Sequence, residues 1–371
     1  MGIVYFIFMA LALISGWLIL WRVPLVKRKH LEKKQLPSFS IIIPARNEEH
    51  NLPILLRSLE KQTLKPHEIL VVNDESTDQT AAVAEQFAGV RVLHLTAAEK
   101  EWVGKSAGCF YGARQAQGEL FLFLDADVFL PEADSLLQIV ETFVAHGMKG
   151  ALSIQPYHVV QKPYETLSAV FNILVLAGMN AFSFFKKRLE PAGAFGPSLI
   201  CRKDIYFEIG GHRVVKDAIM ENVALGKHFL KADLPVHLYG GKNSLHFRMY
   251  PTGLSSLLEG WSKSFASGSQ ATHPLILLGT GLWIAGAFVS VLAPFYFLAM
   301  NHGAALIVSL VGYVFYFISF CRMARYAGNF HVVLLFFYPI LFIFFMGLFG
   351  WSLFKTKVVK EVSWKGRKVD V

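Results

Sequence analysis

Two aspartates, Asp125 and Asp127, stand directly after the apolar run Leu120-Phe-Leu-Phe-Leu124, with one small residue between them. Two neighbouring carboxylates cannot both be buried without a partner, and carboxylate oxygens are the ligands that hard divalent cations prefer. A cation held there could itself bind a phosphate group. An isolated pair of this kind is more often two solvated loop acids, so the surrounding sequence has to decide between the two interpretations.

Short apolar runs and amphipathic stretches alternate around this pair. The pattern predicts strands at 39–43, 69–72, 90–95 and 120–124, and helices at 51–62, 79–87 and 102–115. Strands that alternate with helices are typical of a doubly wound, Rossmann-like α/β domain, in which ligands bind at the carboxyl ends of the strands. Polar residues follow three of the predicted strands, so we expect the ligand at that edge of the sheet.

Lys105 stands at the start of the predicted helix that precedes Asp125. The sequence Gly104-Lys105-Ser106 is not a P-loop, because the first glycine that the motif requires would fall at Glu99. Lys105 is nevertheless well placed to meet a phosphate or a ribose. A solvated lysine at the start of a helix is an equally good interpretation of this residue taken alone.

Apolar residues make up 54% of the 371-residue chain, and its mean hydropathy is +0.42, which is too high for an ordinary soluble protein. Because 36–160 has the pattern of a soluble α/β unit, we place the apolar excess in membrane segments, beginning with an uncleaved anchor near 3–21. The predicted organisation is an anchor at 1–24, an α/β domain at 36–250, an interfacial amphipathic helix at 251–270, transmembrane helices at 274–354 and a basic tail at 355–371.

Basic residues give the chain a formal charge of +9 and cluster beside the first apolar segment and in the tail. Beside membrane spans, such clusters indicate cytoplasmic flanks and contact with anionic lipids of the bilayer, and we expect no nucleic-acid partner. The chain is therefore predicted to be a multi-pass protein of the cell membrane with its α/β domain in the cytoplasm. The last span, 332–354, could cross or re-enter. The stretch 164–185 is predicted to lie in the membrane interface, with a buried core helix as the alternative.

Four motifs occur together in a family-specific order and spacing. They are Ile43-Pro-Ala-Arg-Asn-Glu-Glu49, Val72-Asn-Asp-Glu-Ser-Thr-Asp78, Trp102-Val-Gly-Lys105 and Asp125-Ala-Asp127. Together they resemble the processive-type inverting glycosyltransferases of family 2, whose fold is GT-A and whose donors are nucleotide sugars. Further stretches at 153–158, 247–250, 259–263 and 364–367 look like those of the glycosyltransferases that act on diaponeurosporenoate in bacterial carotenoid pathways. This resemblance extends over nearly the whole chain.

The resemblance implies a donor site for a UDP-sugar. Asp74 would contact the uracil, Asp125 the ribose or the first phosphate, and Asp127 a Mg2+ or Mn2+ ion on the diphosphate. Such an ion neutralises the charge that develops on the leaving group. The other residues expected at the donor are Pro44, Arg46, Glu48, Lys105, Arg248 and Lys263. For Arg248 and Lys263, a lipid-facing charge near the membrane is an equal alternative.

The sequence departs from the family pattern where a general base is expected. The acidic pair of the family here reads Glu221-Asn222, and an amide cannot take the proton of an acceptor hydroxyl. Either Glu221 or Asp217 takes over, or no base is needed. A carboxylic acid acceptor needs none, because its reference pKa of about 4 leaves it ionised at neutral pH. We therefore expect an anionic acceptor such as a carotenoid acid, and a polyprenyl phosphate fits equally.

A second departure concerns the acceptor motif Gln/Arg-x-x-Arg-Trp of polymer synthases, of which only Trp261 remains. Transfer of a single sugar to a lipid is expected instead of polymerisation, with Trp261 as an acceptor contact or an interface anchor. The leading hypothesis is a membrane hexosyltransferase that moves glucose from a UDP-sugar to the carboxylate of an apolar acid. The alternatives are transfer to a ceramide, a diacylglycerol or a polyprenyl phosphate, and a non-catalytic protein that binds nucleotide sugar or lipid.

Overall fold

The computed structural model describes residues 2–31, 36–96, 101–218, 220–268, 271–354, 361–364 and 367–370; residue 2, residues 263–268 and the last two ranges are described by their backbone only. The chain forms two compact units. One contains residues 24–157 and 193–248 and is called the sheet unit here. The other contains residues 1–23, 158–192 and 249–371 and is called the helical unit.

The strands begin with four that match the predicted ones within a few residues. Their bounds are β1 (Phe39–Ala45), β2 (Glu68–Asn73), β3 (Val90–His94), β4 (Leu120–Leu124), β5 (Val128–Phe129), β6 (Ala151–Gln155), β7 (Tyr157–His158), β8 (Ser198–Arg202), β9 (Val236–Gly240) and β10 (His246–Phe247). In the C-terminal tail, the backbone of Glu361–Trp364 pairs antiparallel with that of Arg367–Asp370.

The helices are connected to these strands in the alternating order that the sequence predicts for its first half. Their bounds are α1 (Gly2–Ile19), α2 (Leu52–Glu60), α3 (Thr80–Glu85), α4 (Lys105–Gln115), α5 (Ser135–Ala145), α6 (Ala169–Gly178), α7 (Lys203–Glu208), α8 (Glu221–Lys231), α9 (Leu254–Gly268), α10 (Pro274–Ala299), α11 (Gly303–Ala327), α12 (Val332–Phe336) and α13 (Tyr338–Phe354), with 3-10 helices at Pro163–Ser168 and Gly211–Val215.

A seven-stranded mixed sheet in the order β3-β2-β1-β4-β8-β6-β9 forms the centre of the sheet unit. The strands β3, β2, β1 and β4 are parallel, whereas β8 runs antiparallel to both β4 and β6. All five residues of β4 are buried, as expected for a strand that is covered on both faces. Because β1, β2 and β4 are parallel, the loops that follow them lie at the same edge of the sheet.

Helix α4 packs so closely on this sheet that Gly112 has no room for a side chain. A Cβ atom at Gly112 would lie 2.6 Å from Cγ2 of Ile42 in β1. This close approach fixes the start of α4, and with it Lys105, beside the ends of β1 and β4. The strands β5, β10 and β7 form a second, three-stranded sheet in that order, and β5 and β10 are antiparallel.

Within the described part of the helical unit, the two helices α10 and α11 are long and apolar enough to cross a membrane by their length and composition. Helices α1 and α13 are apolar but shorter. The predicted span 332–354 is interrupted at Phe337, which separates α12 from α13. Pro339 lies in the first turn of α13, where a proline is tolerated because its missing N–H would be unpaired in any case.

The structure corrects the prediction for 164–178, the helical part of the stretch 164–185. This stretch was expected to lie in the membrane interface, but Pro163–Ser168 and α6 are largely buried within the helical unit, where α6 packs against α11 and α13. A helix that is apolar all around its circumference is normally a buried helix, so the alternative interpretation is right. In helix α9, Leu257 and Trp261 are buried while Leu254 and Leu258 are exposed, and the interfacial location predicted for 251–270 stays a prediction.

Candidate active site

The loops that follow β1 and β2 are joined by a set of hydrogen bonds at the edge of the sheet. Asn47, whose φ is +53°, accepts the N–H of Thr77 at 2.9 Å through its side chain and donates its own N–H to Ser76 Oγ at 3.1 Å. The N–H of Glu49 donates to Asp78 Oδ2 at 3.2 Å. These contacts make the two loops one rigid element, which is the arrangement that a binding edge requires.

The residues expected at the nucleotide lie on this element. Asp74 follows β2 and is only 4% exposed. Arg46 donates from Nη1 to the Asp74 carbonyl oxygen at 2.8 Å and lies 3.8 Å from the carboxylate of Glu75. Glu48 donates its N–H to a threonine hydroxyl of α3 at 2.7 Å, and Pro44 lies near the end of β1. The structure therefore brings these four predicted donor residues to one edge of the sheet.

Lys105 forms the centre of a charged cluster at the same edge. Its Nζ lies 2.6 Å from Asp125 Oδ1 and 2.8 Å from Glu221 Oε1, and it donates to the carbonyl oxygen of Gly196 at 2.9 Å. The side chains of Lys105, Asp125 and Glu221 are 20%, 27% and 15% exposed. The starts of α4 and α8 and the end of β4 thus supply one partly buried lysine between two acids, which we call the lysine centre.

The acids of the lysine centre differ in their proton affinity. For Glu221, burial alone would raise the pKa, but the charge and the hydrogen bond of Lys105 outweigh burial and lower it. For Asp125, burial raises the pKa despite Lys105, and the charges of Glu221 and Glu48 add to that effect. Burial would lower the pKa of Lys105, but the charges of Asp125 and Glu221 outweigh burial and raise it. Asp125 is therefore the acid that first accepts a proton, while Glu221 stays ionised.

The loop 193–197 places a backbone carbonyl at this centre because it lies directly on α8. Gly193 has a φ of +146°, and a Cβ there would lie 2.2 Å from the Val223 carbonyl oxygen. A Cβ at Gly226 would lie 2.3 Å from the Ala194 nitrogen. The backbones of loop and helix are therefore in contact, and the carbonyl oxygen of Gly196 is fixed where Lys105 can donate to it.

A neutral hydrogen-bond network lies behind the lysine centre. Asn222 is 2% exposed; its amide nitrogen donates to the Gly196 carbonyl, and its amide oxygen is 3.1 Å from His212 Nε2. His212 Nδ1 is 2.9 Å from the hydroxyl of Tyr206, which also accepts the backbone N–H of His212. Burial lowers the pKa of His212 to about 4, although Glu221 and the bond to Asn222 oppose this shift. A neutral His212 with its proton on Nε2 satisfies every bond in the network.

Asp127 and Arg248 directly flank the paired strands β5 and β10 of the small sheet. Asp127 is exposed between β4 and β5, and Arg248 follows β10 with its side chain half-buried. Val128 pairs with Phe247 in this antiparallel sheet, so continuing the register by one residue places Arg248 opposite Asp127. A cation and an acid predicted to meet the diphosphate are thereby brought to neighbouring strands.

A divalent metal fits this site as a companion of the donor. Among the side chains that the structure describes, no group of three or more His, Cys, Asp or Glu residues is arranged to hold a metal ion. Asp125 is engaged by Lys105, so Asp127 is the acid that faces solvent. One or two carboxylates completed by phosphate oxygens are the usual environment of Mg2+ bound with a nucleotide. The donor set is therefore suited to a hard cation that is bound together with a diphosphate.

Three predicted site residues remain, namely Asp217, Trp261 and Lys263. Asp217 is exposed in the turn before α8. Trp261 is buried in the helical unit, where its indole N–H donates to Ser168 Oγ at 3.0 Å and its ring stacks on Phe171 with centroids 4.6 Å apart. Lys263 lies in α9, and its side chain is outside the described part of the chain. The roles assigned to these residues stay predictions.

Sequence reasoning did not select Tyr206, His212 or the carbonyl group of Gly196. A main-chain oxygen leaves no signal in a reading of side-chain types. His212 follows Gly210 and Gly211, which both have a positive φ. Two such glycines before a histidine are the local signal that could have indicated a tightly placed ring, but nothing in the sequence shows what this ring touches.

Comparison with known proteins agrees with this geometry. The model for Glycosyl transferase family 2 matches residues 40–210. Over 352 residues the chain is 36% identical to 4,4'-diaponeurosporenoate glycosyltransferase of Staphylococcus aureus strain MRSA252, which covers 93% of this chain and 92% of the relative. It is 35% identical over 368 residues to the protein of the same name from strain bovine RF122 / ET3-1, covering 98% of this chain and 96% of the relative.

A solved structure shares the architecture. The mannosyltransferase PcManGT from Pyrobaculum calidifontis, in complex with GDP-Man and Mn2+, matches with a TM-score of 0.53 over 96% of this chain and 95% of that chain, at 16% identity. At that identity the likeness concerns the fold, and it confirms the GT-A-like architecture expected from the motifs. With the family match and the sequence identity along nearly its whole length, the chain belongs to glycosyl transferase family 2 and is a glycosyltransferase.

Proposed function

We propose that this enzyme transfers a single glucose from a UDP-sugar to the carboxylate of an apolar carotenoid acid of the diaponeurosporenoate type, giving a glycosyl ester. The name shared by the Staphylococcus aureus relatives supports an acceptor of this class. The choice of UDP rests on the resemblance of the motifs around Asp74 and Asp125, and glucose is proposed as the hexose.

The observation that carries this proposal is the state of the residues at the expected base position. Asn222 is buried and is committed on both sides of its amide. Glu221 is paired with Lys105, which lowers its pKa and makes it a weak proton acceptor. An acceptor hydroxyl would need a strong base here, whereas a carboxylate has already lost its proton.

The reaction step is balanced without proton transfer. An oxygen of the acceptor carboxylate forms a bond to the anomeric carbon of the sugar, while the bond from that carbon to the diphosphate oxygen breaks and its electron pair leaves with UDP. Attack from the face opposite the leaving group inverts the anomeric carbon. Lys105 and Arg248 would stabilise the negative charge that moves to the diphosphate, because both are cations at the edge where it is expected.

Asp127 would hold a Mg2+ or Mn2+ ion together with the diphosphate oxygens, and this ion would neutralise the leaving group. The mannosyltransferase from Pyrobaculum calidifontis, which shares the fold, was solved with Mn2+ and its sugar nucleotide. In this chain Asp74 and Arg46 would bind the base end of the nucleotide, since they lie on the rigid pair of loops after β1 and β2.

We place the enzyme in the bacterial cell membrane with the sheet unit in the cytoplasm. The apolar helices α10 and α11 support a membrane location. A carotenoid acid is dissolved in the bilayer, while a nucleotide sugar is dissolved in the cytosol, so an enzyme that joins them has to reach both. Trp261 is proposed to shape the acceptor path from within the helical unit, since its ring is packed on Phe171.

A transfer assay in detergent tests this function. The full-length enzyme would be given UDP-glucose and Mg2+ with a carotenoid acid, a ceramide, a diacylglycerol and undecaprenyl phosphate side by side. We expect product only with the acid. Mild alkali should release the sugar from this product, because esters are hydrolysed under conditions in which glycosides are stable. Asp127→Ala serves as the inactive control. Asp217 is exposed as Asp127 is, and the variant Asp217→Asn should keep its activity.

The same assay separates the alternatives. Product from the phosphate or from an alcohol would keep the enzyme class and move the acceptor to another lipid. Loss of activity in Asp217→Asn would identify that residue as a base and contradict a base-free transfer. Binding of UDP-glucose without turnover of any acceptor would favour a non-catalytic binding protein.

A further inference from the structure

Two segments that are distant in the sequence meet at the end of α1 and form an exposed aromatic surface. The N–H groups of Trp21 and Arg22 both donate to the carbonyl oxygen of Phe182, at 2.9 and 3.2 Å, and the N–H of Phe184 donates to the Leu18 carbonyl oxygen at 2.8 Å. All of these residues belong to the helical unit. The backbone contacts hold the segment 182–188 against the end of the helix.

The aromatic rings of this surface are in contact with one another and are open to the surroundings. Trp17 lies 6.3 Å from Trp21, and Trp21 lies 5.3 Å from Phe184, measured between ring centroids. Their exposed fractions are 44%, 44% and 55%, respectively. Large exposed rings with polar edges are typical of the boundary between the hydrocarbon and the headgroups of a bilayer.

Basic side chains lie on the same segments as these rings or directly beside them. The guanidinium carbon of Arg322 lies 4.0 Å from the centroid of Trp17, and its Nη1 donates to the Leu20 carbonyl oxygen at 3.1 Å, which ties α11 to the end of α1. Exposed bases then lie on all three segments. They are Arg22, Lys186, Lys187, Arg188 and Arg325. Together with Trp17, Trp21 and Phe184 they form what we call the basic collar.

We propose that the basic collar binds the phosphate groups of anionic phospholipids, of the phosphatidylglycerol type. This inference rests on the membrane location proposed above. The collar has five exposed positive charges, and the acid nearest to it in the sequence is Glu190. Its positive charge therefore exceeds its negative charge, and the surface attracts anions. Exposed rings beside them can enter the headgroup layer, while Lys and Arg reach the phosphates. The collar thereby fixes the depth at which the helical unit sits in the cytoplasmic leaflet.

Native mass spectrometry of the full-length protein tests the collar without using catalysis. The detergent-solubilised protein would be titrated with phosphatidylglycerol or with phosphatidylcholine, and the bound lipids counted. The wild type should retain phosphatidylglycerol in preference to phosphatidylcholine. The variant K186Q/K187Q/R188Q should bind it roughly 100-fold more weakly, since each base near an anionic lipid surface contributes about a five-fold gain.

Two further variants control this experiment. R57Q/K61Q/K65Q removes three exposed bases from the sheet unit and should bind as the wild type does. K186R/K187R/R188K keeps the charge of the collar and should also bind as the wild type does, which separates loss of charge from loss of fold. Equal binding of the two lipids by the wild type, unchanged binding by K186Q/K187Q/R188Q, or an equal loss in R57Q/K61Q/K65Q would each overturn the proposal. Because no sugar transfer is measured, a wrong acceptor would not affect the outcome.

Discussion

Two clusters in the sheet unit each combine two acids with one base, and they differ in how firmly the base is held. In the first, Glu141 of α5 is fully buried and accepts the N–H groups of Lys29 and Leu31 at 2.6 and 3.2 Å, and Nε of Arg28 at 3.1 Å. Arg28 also reaches Asp134 at 2.8 Å. We call this cluster the arginine centre.

The arginine centre fastens the segment that follows α1. Pro24, at the start of the same segment, accepts the N–H of Gly240 from the edge strand β9 at 2.8 Å. Burial would raise the pKa of Glu141, but the N–H of Lys29 and the charge and hydrogen bond of Arg28 outweigh it and lower the pKa. Two backbone donors and a planar guanidinium give this carboxylate a fixed environment with no position left open for a ligand.

The lysine centre is the opposite case. Asp125 and Glu221 are partly exposed, and the side chain that links them is a single flexible ammonium group. Lysine is a point charge on a long stem and can turn from one anion to another. The comparison indicates that rigid neutralisation serves the architecture, whereas an exchangeable cation beside partly open acids serves ligand binding. The following variants test that distinction, from the largest expected effect to the smallest.

Replacing Lys105 by Gln should reduce kcat by roughly 1,000-fold, because the diphosphate loses a cation and the two acids repel it. The thermal unfolding midpoint should change little, since Asp125 can take up a proton once the lysine is gone. Turnover of UDP-glucose and the midpoint would be measured on the same preparation. Lys227→Gln, an exposed lysine of α8, is the matched control. An unchanged kcat with a lowered midpoint would mean that the lysine centre, like the arginine centre, only stabilises the fold.

Replacing Glu141 by Gln should give the reverse result. The change leaves Arg28 with Asp134 as its remaining acid and weakens the bonds that the charged carboxylate accepts from Lys29 and Leu31, so the free energy of unfolding should fall by about 2–3 kcal/mol. The kcat of the folded enzyme should be unchanged, because Glu141 binds the segment 28–31 and is not one of the residues expected at the nucleotide sugar. Denaturant unfolding in detergent and a turnover assay would be compared. Glu60→Gln, an exposed acid on α2, should alter neither quantity, and a drop in kcat for Glu141→Gln would contradict the distinction.

The neutral network behind the lysine centre predicts a pH dependence of stability. Its histidine, His212, has a pKa lowered to about 4 from a reference value of 6.5, mainly by burial. The unfolded chain therefore binds the proton first, so stability is complete above about pH 6.5 and falls as the pH decreases toward 4, by about 2–3 kcal/mol. The difference in unfolding midpoint between wild type and His212→Gln should shrink across this window. A constant difference would show that His212 is not buried in its neutral form.

The sequence predicted the lysine centre better than the arginine centre, and the reason is local structure. Asp125 follows a strand of five apolar residues, and Lys105 opens a helix beside it, so both are marked by nearby patterns. Glu141 lies in an amphipathic helix, where an acid looks like a solvent-facing residue. Its burial depends on Arg28, which is 113 residues away, and no local pattern indicates that contact.

Long-range packing also explains the other differences between expectation and structure. The pairing of Lys105 with Glu221 joins α4 to α8, and the network of Tyr206, His212 and Asn222 is closed by contacts that only the folded sheet creates. Hydrophobic periodicity located the four strands and three helices predicted before Asp125 within a few residues. It could not decide whether α6, which is apolar all around, faces lipid or protein.

The smallest effect is expected for Arg28→Lys, and it sharpens the comparison most directly. A lysine keeps the charge but lacks the planar fork that reaches Glu141 and Asp134 together. The thermal unfolding midpoint should fall by about 2 °C with kcat unchanged. Arg57→Lys, an exposed arginine of α2, is the matched control and should have no effect. If Arg28→Lys were as stable as the wild type, the bidentate geometry would not matter, and the backbone donors of Lys29 and Leu31 would hold Glu141 by themselves. A lower midpoint would instead show that the shape of the base, and not only its charge, separates the arginine centre from the lysine centre.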